Sequence, residues 1–326
     1  MKFSEVTRFE VIKNLEDYVG KIIDEYANNI EDNWQPGDIL PDSTKDNFYD
    51  EVKQLQTKAA GLDYDLMAVI VGDTITEEAL PTYEAWLYQV DGMKEIGYES
   101  NWNKWIRFWT GEENRHGDIL NKYLYLSGRV NMNKMEASTQ YLIADGFDIK
   151  TAHDPYKSFV YTSFQEVATN ISHRRAGTLA KKQGDNFLAK ICGLVAADEA
   201  RHAKVYSSFV SKIFELDPSE MMIAFEEMMK NKIVMPAHYL REMGNQGNNI
   251  FGHFSDAAQR LGVYTAQDYS NILTSLVKEW KIENLAGLNE AAEKAREYLV
   301  NLPGRLDKII ERLKIPQVEY KFSWIV

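Results

Sequence analysis

The sequence is short of cysteine, proline and glycine. A single cysteine, Cys192, among 326 residues excludes a disulfide within the chain and fits a reducing compartment. Only 8 prolines and 19 glycines are present, and long segments lack both, which favours helices over a turn-rich β fold. Hydrophobic residues make up 44% of the chain, enough to fill a sizeable core. We therefore expect an all-α protein.

Two further absences bear on location and partners. No apolar run is long enough to span a membrane, and the first residues have neither signal-peptide nor transit-peptide character. The net charge is −12 and no basic stripe is present, which argues against nonspecific nucleic-acid binding. We expect a cytoplasmic protein with no membrane or nucleic-acid partner. A plastid protein whose transit peptide has been removed is the alternative.

Two Glu-x-x-His tetrads, each preceded by a lone glutamate on an upstream predicted helix, are the most informative feature of the chain. In order, these residues are Glu77, Glu113, His116, Glu166, Glu199 and His202. A glutamate and a histidine three residues apart project from one face of a helix. Four such helices, packed together, would bring four carboxylates and two imidazoles to one point. That is the ligand set of ferritin-like bundles with carboxylate-bridged di-iron or di-manganese centres.

The chemistry of this ligand set predicts two iron ions per chain. Two ferrous ions would balance four glutamates, so the site can be buried without a large net charge. Mixed carboxylate and imidazole ligands suit iron or manganese better than zinc. One tetrad alone is weak evidence, but the spacing repeats: Glu77 lies 89 residues before Glu166, and Glu113 lies 86 before Glu199. The two halves therefore form a weak internal repeat.

Hydrophobic periodicity predicts the helices that carry these residues. They are expected near 7–30, 44–60, 63–90, 101–127, 131–144, 157–178, 185–214, 217–235, 254–301 (with breaks) and 303–314. Pro81 predicts a kink just past Glu77, and the apolar segment 320–326 is expected to dock.

The two half-sites must meet, so we predict one domain, although the length would allow two. Its parts are N-terminal helices and a loop (1–62), a four-helix bundle (63–214), and C-terminal helices with a tail (215–326).

Three neighbours of the predicted ligands are further candidates. Thr169 follows Glu166 by three residues, so its hydroxyl could face the metals or bond back to its own helix. Asp198 could accept a hydrogen bond from the free nitrogen of a ligand histidine. Trp34, in a proline-bounded loop, could anchor that loop or relay electrons.

Other acids and histidines are less informative. Glu78 and Glu112 point off the ligand face, so we place them outside the ligand set or at the surface. The remaining histidines are more typical of capping, core or surface positions; they are His153, His173, His238 and His253. The stripe of Trp102, Trp105 and Trp109 is typical of core packing.

Several long segments closely resemble the soluble acyl-acyl-carrier-protein desaturases. The matching segments are 71–83, 112–130, 161–166, 196–202, 235–238 and 258–266. The resemblance runs from about Trp34 to the segment Phe322-Ser323-Trp324-Ile325. It implies a ferritin-like four-helix bundle core with additional surrounding helices, in a homodimeric enzyme.

The resemblance also implies an activity. Such an enzyme would use O₂ and two electrons from reduced ferredoxin to introduce a cis double bond, expected at Δ9, into a saturated chain on acyl carrier protein. The family's ligands fall on the six residues given above. Its oxygen-side threonine falls on Thr169, and its electron-relay pair falls on Trp34 and Asp198.

Departures from plant members concern the substrate. Trp86, Gln89 and Ser158 stand where those members carry smaller or more flexible residues near the acyl tunnel. Bulkier groups there would shorten the tunnel, which predicts a preference at or below roughly sixteen carbons.

An acidic carrier would need a basic docking patch on this acidic chain. The candidate clusters are Arg174, Arg175, Lys181 and Lys182, and separately Lys230, Lys232 and Arg241.

Two other functions fit the same ligand set. One is a di-iron oxygenase that hydroxylates or N-oxygenates another substrate, and the other is an iron-storage protein. The long segment after the second ligand pair, 215–326, favours an enclosed substrate site over storage.

Overall fold

The computed structural model describes residues 7–244 and 249–326, and regular structure within these ranges is helical. The α-helices are α1 (Arg8–Asn14), α2 (Glu16–Tyr26), α3 (Phe48–Ala59), α4 (Tyr64–Glu77), α5 (Leu80–Leu87), α6 (Met93–Ile96), α7 (Asn101–Ser127), α8 (Met132–Asp145), α9 (Pro155–Lys182), α10 (Asn186–Leu216), α11 (Pro218–Asn231), α12 (Ile250–Leu261), α13 (Ala266–Glu279) and α14 (Glu290–Ile310). The predicted all-α class is confirmed.

A bundle of α4, α7, α9 and α10 carries the predicted ligands, and α9 and α10 form its most extensive helix pair. These two helices approach closely at Gly177, where an added Cβ would lie 3.0 Å from Cβ of Cys192. Helix α7 begins where the Ser100 hydroxyl accepts the Asn103 N–H, and it ends at Gly128, whose φ of 69° is left-handed. The caps therefore hold the ligand helices in fixed registers.

Two long predicted helices are each interrupted. The predicted helix 7–30 is split at Leu15 into α1 and α2, although its predicted capping box between Thr7 and Glu10 is present. The predicted helix 63–90 is split after Glu77, and Pro81 lies in the first turn of α5. A proline in that position removes no helical hydrogen bond. The kink predicted just past the ligand is therefore a complete break.

One predicted break is wrong. The spans 254–301 and 303–314 were predicted as separate helices, but α14 continues through Pro303 to Ile310. Leu299 and Leu302 are buried where α14 packs on α11 and α13. This packing compensates for the one backbone hydrogen bond that the proline cannot make.

The last residues of the chain dock as predicted. Phe322 and Trp324 are buried and their rings stack, with centroids 4.9 Å apart. The indole N–H of Trp324 donates to Ser138 Oγ on α8 at 2.8 Å. Ile325 forms an isolated antiparallel bridge with Val130. None of the helices in the described ranges is both long enough and apolar enough to cross a bilayer.

Candidate metal centre

The six predicted ligands converge in the interior of the bundle. Their ligand atoms form two overlapping groups, within each of which all atoms lie within 4.8 Å of one another. One group is Glu77, Glu113, His116 and Glu199; the other is Glu113, Glu166, Glu199 and His202. Glu113 and Glu199 belong to both groups, so they occupy bridging positions, whereas Glu77 and Glu166 are each confined to one group.

The distances agree with this division. Nδ1 of His116 lies 3.4 Å from Glu113 Oε2 and 3.4 Å from Glu199 Oε1. Nδ1 of His202 lies 2.8 Å from Glu113 Oε1 and 3.5 Å from Glu166 Oε2. Each histidine thus faces the centre with the same ring nitrogen, and Glu113 reaches both.

Buried polar atoms in the centre lack hydrogen bonds, which tests whether metal ions fit there. The unsatisfied atoms are His116 Nδ1, His202 Nδ1, Glu113 Oε1 and Glu166 Oε2. An unpaired buried donor or acceptor is costly, and such a cluster on convergent side chains calls for a ligand. Two divalent cations would coordinate these atoms and balance the four carboxylates. The oxygen and imidazole donors present therefore fit iron or manganese.

Burial and mutual charge shift the pKa of the carboxyl and imidazole groups in the centre. Burial raises the pKa of Glu77 to about 7 and, with the charge of Glu199, raises the pKa of Glu166 well above its ordinary value. Burial alone would lower the pKa of His116 and His202, but the surrounding carboxylates outweigh it and raise the pKa of both. Without metal, protons must supply the positive charge that these carboxylates require.

The acid before each tetrad orients the histidine of the other tetrad. Nε2 of His116 lies 3.3 Å from Asp198 Oδ2, and Nε2 of His202 lies 2.8 Å from Glu112 Oε2. Carboxylates only accept, so both Nε2 atoms donate and both Nδ1 atoms are left for the metals. The expected role of Asp198 toward a ligand histidine is thus matched in geometry, and Glu112 is its counterpart.

Two arginines lock these acids together. Arg115 donates to Asp198 at 3.2 Å and to Glu112 at 3.4 Å, and Arg201 also reaches both acids. Burial opposes ionisation of Asp198, but His116 and Arg201 lower its pKa to about 2. Of the two positions predicted for Glu112, behind the ligands or at the surface, the geometry agrees with the first. The repeated pattern acid-Glu-x-Arg-His was the signal that could have placed it.

Trp34 lies against the His116 side of this network. Its indole N–H donates to Asp198 Oδ2 at 3.0 Å, and its ring is nearly parallel to that of His116, with centroids 6.2 Å apart. The Arg115 guanidinium covers the indole at 4.5 Å. Trp34 is half-buried, so it links the loop near the surface to one ligand histidine.

Thr169 has partners that correspond to both roles considered for it. Its hydroxyl lies 2.9 Å from Glu199 Oε2, and also 3.1 Å from the Glu166 carbonyl and 3.2 Å from that of Gln165. It can donate to only one of them at a time. Thr169 lines the cavity beside the centre, so its hydroxyl is available to a molecule bound there.

Two residues at the centre were missed by sequence analysis. Nε2 of His173 lies 2.9 Å from Glu77 Oε1, and the Trp109 indole donates to Glu166 Oε1 at 3.0 Å. His173 had been assigned to capping, core or surface, and Trp109 to packing. His173 lies seven residues, about two turns, after Glu166 on α9, which places both on one face. That spacing was the available signal.

A cavity of about 950 Å³ opens from the centre. Glu77, Glu113 and Glu199 line its inner end, and residues of α11, α12 and α14 line its outer part. On α5 the last lining residue is Tyr83, and on α9 the first lining residue is Phe164.

Trp86, Gln89 and Ser158 do not line this cavity, so the prediction that all three narrow it is wrong. The Ser158 hydroxyl donates to the Asp154 carbonyl within its own helix. Trp86 packs edge to face on Tyr161, with centroids 6.1 Å apart, one turn beyond the last lining residues. This aromatic pair therefore lies outside the cavity lining.

The fold and the ligand set define a class: a carboxylate-rich dinuclear metal protein built on a four-helix bundle. Within that class, the chain belongs to the fatty acid desaturase family, whose profile matches residues 7–326. Stearoyl-[acyl-carrier-protein] 9-desaturase 1 of Arabidopsis thaliana is 48% identical, covering 98% of this chain and 82% of the relative. Palmitoyl-[acyl-carrier-protein] 4-desaturase 3 of Ophrys sphegodes is 46% identical, covering 98% and 81%.

A solved structure shows the same fold. It is DesA2 of Mycobacterium tuberculosis H37Rv, with a TM-score of 0.54 and 17% sequence identity. The match covers 88% of this chain and 98% of that one.

Proposed function

We propose that this protein is an acyl-[acyl-carrier-protein] desaturase with two iron ions held by the six convergent residues. The observation that carries the proposal is the position of the ligand set beside a long, largely apolar cavity. A saturated acyl chain can lie along such a cavity, away from water, with one carbon pair beside the metals. A storage protein has no use for a cavity of this kind.

The reaction removes two hydrogens from adjacent carbons. One O₂, two electrons and two protons combine with these two hydrogens to give two waters and a cis double bond. The iron pair, when bound, supplies activation of O₂ and the oxidising power for C–H cleavage.

The protein supplies orientation and exclusion of water. Asp198 and Glu112 fix the two imidazoles by their Nε2 atoms. Thr169, on the cavity side, offers a hydroxyl to the reacting face.

Electrons are proposed to come from reduced ferredoxin through Trp34. The support is the contact series from Trp34 to Asp198 to His116, which begins at a half-buried indole. On the same family resemblance we propose a homodimer. We propose a location in the cytoplasm or, as for relatives named chloroplastic, in the plastid stroma.

We infer that the carrier protein docks at the outer end of the cavity. Lys230 and Lys232 border it, beside Ile309 and Leu313 of the α14 region, which are 63% and 49% exposed although they line the cavity. Further cations occur along the same stretch of chain; they are Arg305, Lys308, Arg312 and Lys314. An apolar opening among cations suits an acidic carrier that delivers an acyl chain on a phosphate-bearing arm.

The other predicted cluster is a weaker candidate. Arg175 forms a two-pronged ion pair with the buried carboxylate of Asp268, at 2.7 and 2.8 Å. Its charge is already neutralised within the fold. Arg241, which belongs to the same cluster as Lys230 and Lys232, is likewise paired, with Asp145. Lys230 is paired as well, with Glu226, but it and Lys232 are the members that lie at the cavity.

Product analysis tests the function. Iron-loaded protein is incubated with O₂, reduced ferredoxin and either stearoyl- or palmitoyl-carrier protein, because relatives of nearly equal identity act on one or the other. Mass spectrometry should show acyl chains lighter by two hydrogens, with the double bond at one position. Glu113→Ala should abolish both product and bound iron. A product heavier by one oxygen would instead establish a hydroxylase, and iron uptake without acyl product would establish storage.

A further inference from the structure

The two carboxylates that belong to only one metal position share an arrangement. Oε1 of Glu77 accepts from His173, and Oε1 of Glu166 accepts from Trp109. In each case the second oxygen points toward the centre: Glu77 Oε2 lies 3.9 Å from Nδ1 of His116, and Glu166 Oε2 has no hydrogen bond of its own. Each carboxylate is thus held by one N–H donor, which binds the oxygen that points away from the centre.

His173 is built into the bundle interior. Its side chain is 1% exposed, and the buried Cys192 thiol of α10 lies beside the ring. This contact is possible because α9 and α10 approach closely at Gly177. Nε2 must carry the proton, since a carboxylate only accepts, and Nδ1 makes no hydrogen bond among the described residues. Besides the neighbouring Cys192 thiol, the polar partner of the imidazole is Glu77, to which it donates.

Glu77 needs such a donor more than the other ligands do. It is the last residue of α4, with the break before α5 directly after it, whereas Glu113 and Glu199 lie in the middle of long helices. It is half-buried and borders the cavity. The last torsion of a glutamate side chain is broad, so an unrestrained carboxylate would rotate freely.

We propose that His173 is a positioning residue that holds Glu77 and thereby sets the affinity of the metal position containing His116. Trp109 does the same for Glu166 at the position containing His202. The two positions are then held by chemically different donors, an imidazole and an indole. This inference rests on the dinuclear site and is independent of which reaction the protein catalyses.

Metal titration of the apo protein tests the proposal without any turnover. Cobalt(II) is added to wild type, His173→Phe and Trp109→Phe, and its visible absorption is followed. Each variant should bind one cobalt with unchanged affinity and the other about 10- to 100-fold more weakly, as for other residues that support metal ligands. His173→Gln, which keeps an N–H donor, should recover most of the loss. His253→Gln is the control, because that histidine stacks on Tyr320 away from the centre.

A double-mutant cycle identifies the position affected. In a His116→Ala background, where that metal position is already lost, His173→Phe should have no further effect, whereas Trp109→Phe should still weaken the remaining cobalt. Circular dichroism checks that each variant is folded. The proposal is overturned if folded His173→Phe binds both cobalt ions as wild type does, or if it weakens both equally. Failure of the desaturase assay would leave these results unaffected.

Discussion

The two ligand histidines use their ring nitrogens in the same way but differ in what lies behind them. Each Nδ1 faces the centre and each Nε2 donates to a buried carboxylate. Behind His116, however, Asp198 also accepts the indole N–H of Trp34, whereas Glu112, behind His202, accepts from two arginines and the amide of Asn33 and from no indole among the described residues. The two halves of the repeat therefore orient their histidines in the same way, but only the acid behind His116 is linked to a tryptophan near the surface.

This asymmetry predicts a difference between two matched variants. Asp198→Asn and Glu112→Gln each remove a carboxylate behind one histidine, so both should weaken metal binding by about 10- to 100-fold. Only Asp198→Asn changes the link to Trp34. With both variants fully metal-loaded, stopped-flow reduction by ferredoxin should slow for Asp198→Asn and stay near the wild-type rate for Glu112→Gln. Equal rates in the two variants would make Trp34 an anchor of its loop.

The raised pKa of Glu77 predicts a pH dependence. Its pKa of about 7 in the folded apo protein exceeds the ordinary value of 4.5, so the folded state holds this proton more tightly than the unfolded state. The contribution of Glu77 to apo-protein stability should therefore be full at low pH and be lost as pH rises from about 4.5 to 7.

Metal binding should show the opposite trend, because metal must displace this proton. Its affinity should increase up to about pH 7 and then level off. Thermal unfolding from pH 5 to 8, with and without metal, measures both effects. Glu77→Gln should flatten the apo curve, and an unchanged slope in that variant would contradict the assignment.

Among the helices, predictability followed the strength of the local signal. The span 101–127 was predicted with both ends correct, since α7 has a serine cap, a terminal glycine and a continuous apolar face. The boundary predicted between 301 and 303 was wrong because burial of Leu299 and Leu302 outweighs the effect of a single proline, Pro303. Sequence alone does not reveal that burial. Local chemistry indicates where a helix can end, and packing decides whether it does.

The centre shows the same limit. The six ligands could be predicted because helical spacing alone places them on shared faces. For His173, spacing could indicate only that it shares a face with Glu166; its partner Glu77, like the bond from Trp109 to Glu166, depends on how the helices are rotated against one another. The crossing of Asp198 and Glu112 likewise appears only when the two halves are assembled.

The aromatic pair of Trp86 and Tyr161, one turn beyond the cavity lining, predicts a change in chain-length preference. Trp86→Met should free space beside Tyr161 into which the cavity can extend, because methionine is narrower and more flexible. Each additional methylene that becomes buried is worth about 0.8 kcal/mol. Competition between carrier-bound chains of different length should then shift toward longer ones. A fall in unfolding free energy with an unchanged product profile would instead make Trp86 a core residue only.

At the scale of the molecule, charge is unevenly distributed. The chain carries a net charge of −12, yet the outer end of the cavity is bordered by Lys230 and Lys232. An acidic partner is repelled by most of the surface and attracted to this place. Orientation of the carrier is therefore expected to be electrostatic in origin.

Charge reversal tests this distribution. Lys232→Glu should raise KM for acyl-carrier substrate, leave kcat near its wild-type value and reduce the dependence of KM on salt. The matched control is Arg174→Glu, an exposed arginine of the other cluster. The assignment of the docking surface would be wrong if Arg174→Glu raised KM more than Lys232→Glu did.

The crossed pairing of Asp198 with His116 and of Glu112 with His202 has a consequence for how such a site can arise. Neither repeat orients its own imidazole, since each depends on an acid supplied by the other. A gene encoding one repeat alone could assemble this site only if two copies of its product paired about a twofold axis, each supplying its acid to the other's histidine. Fusion of two such genes would make that exchange permanent and would allow the two halves to diverge. One result of such divergence is that only Asp198, and not Glu112, accepts an indole N–H among the described residues.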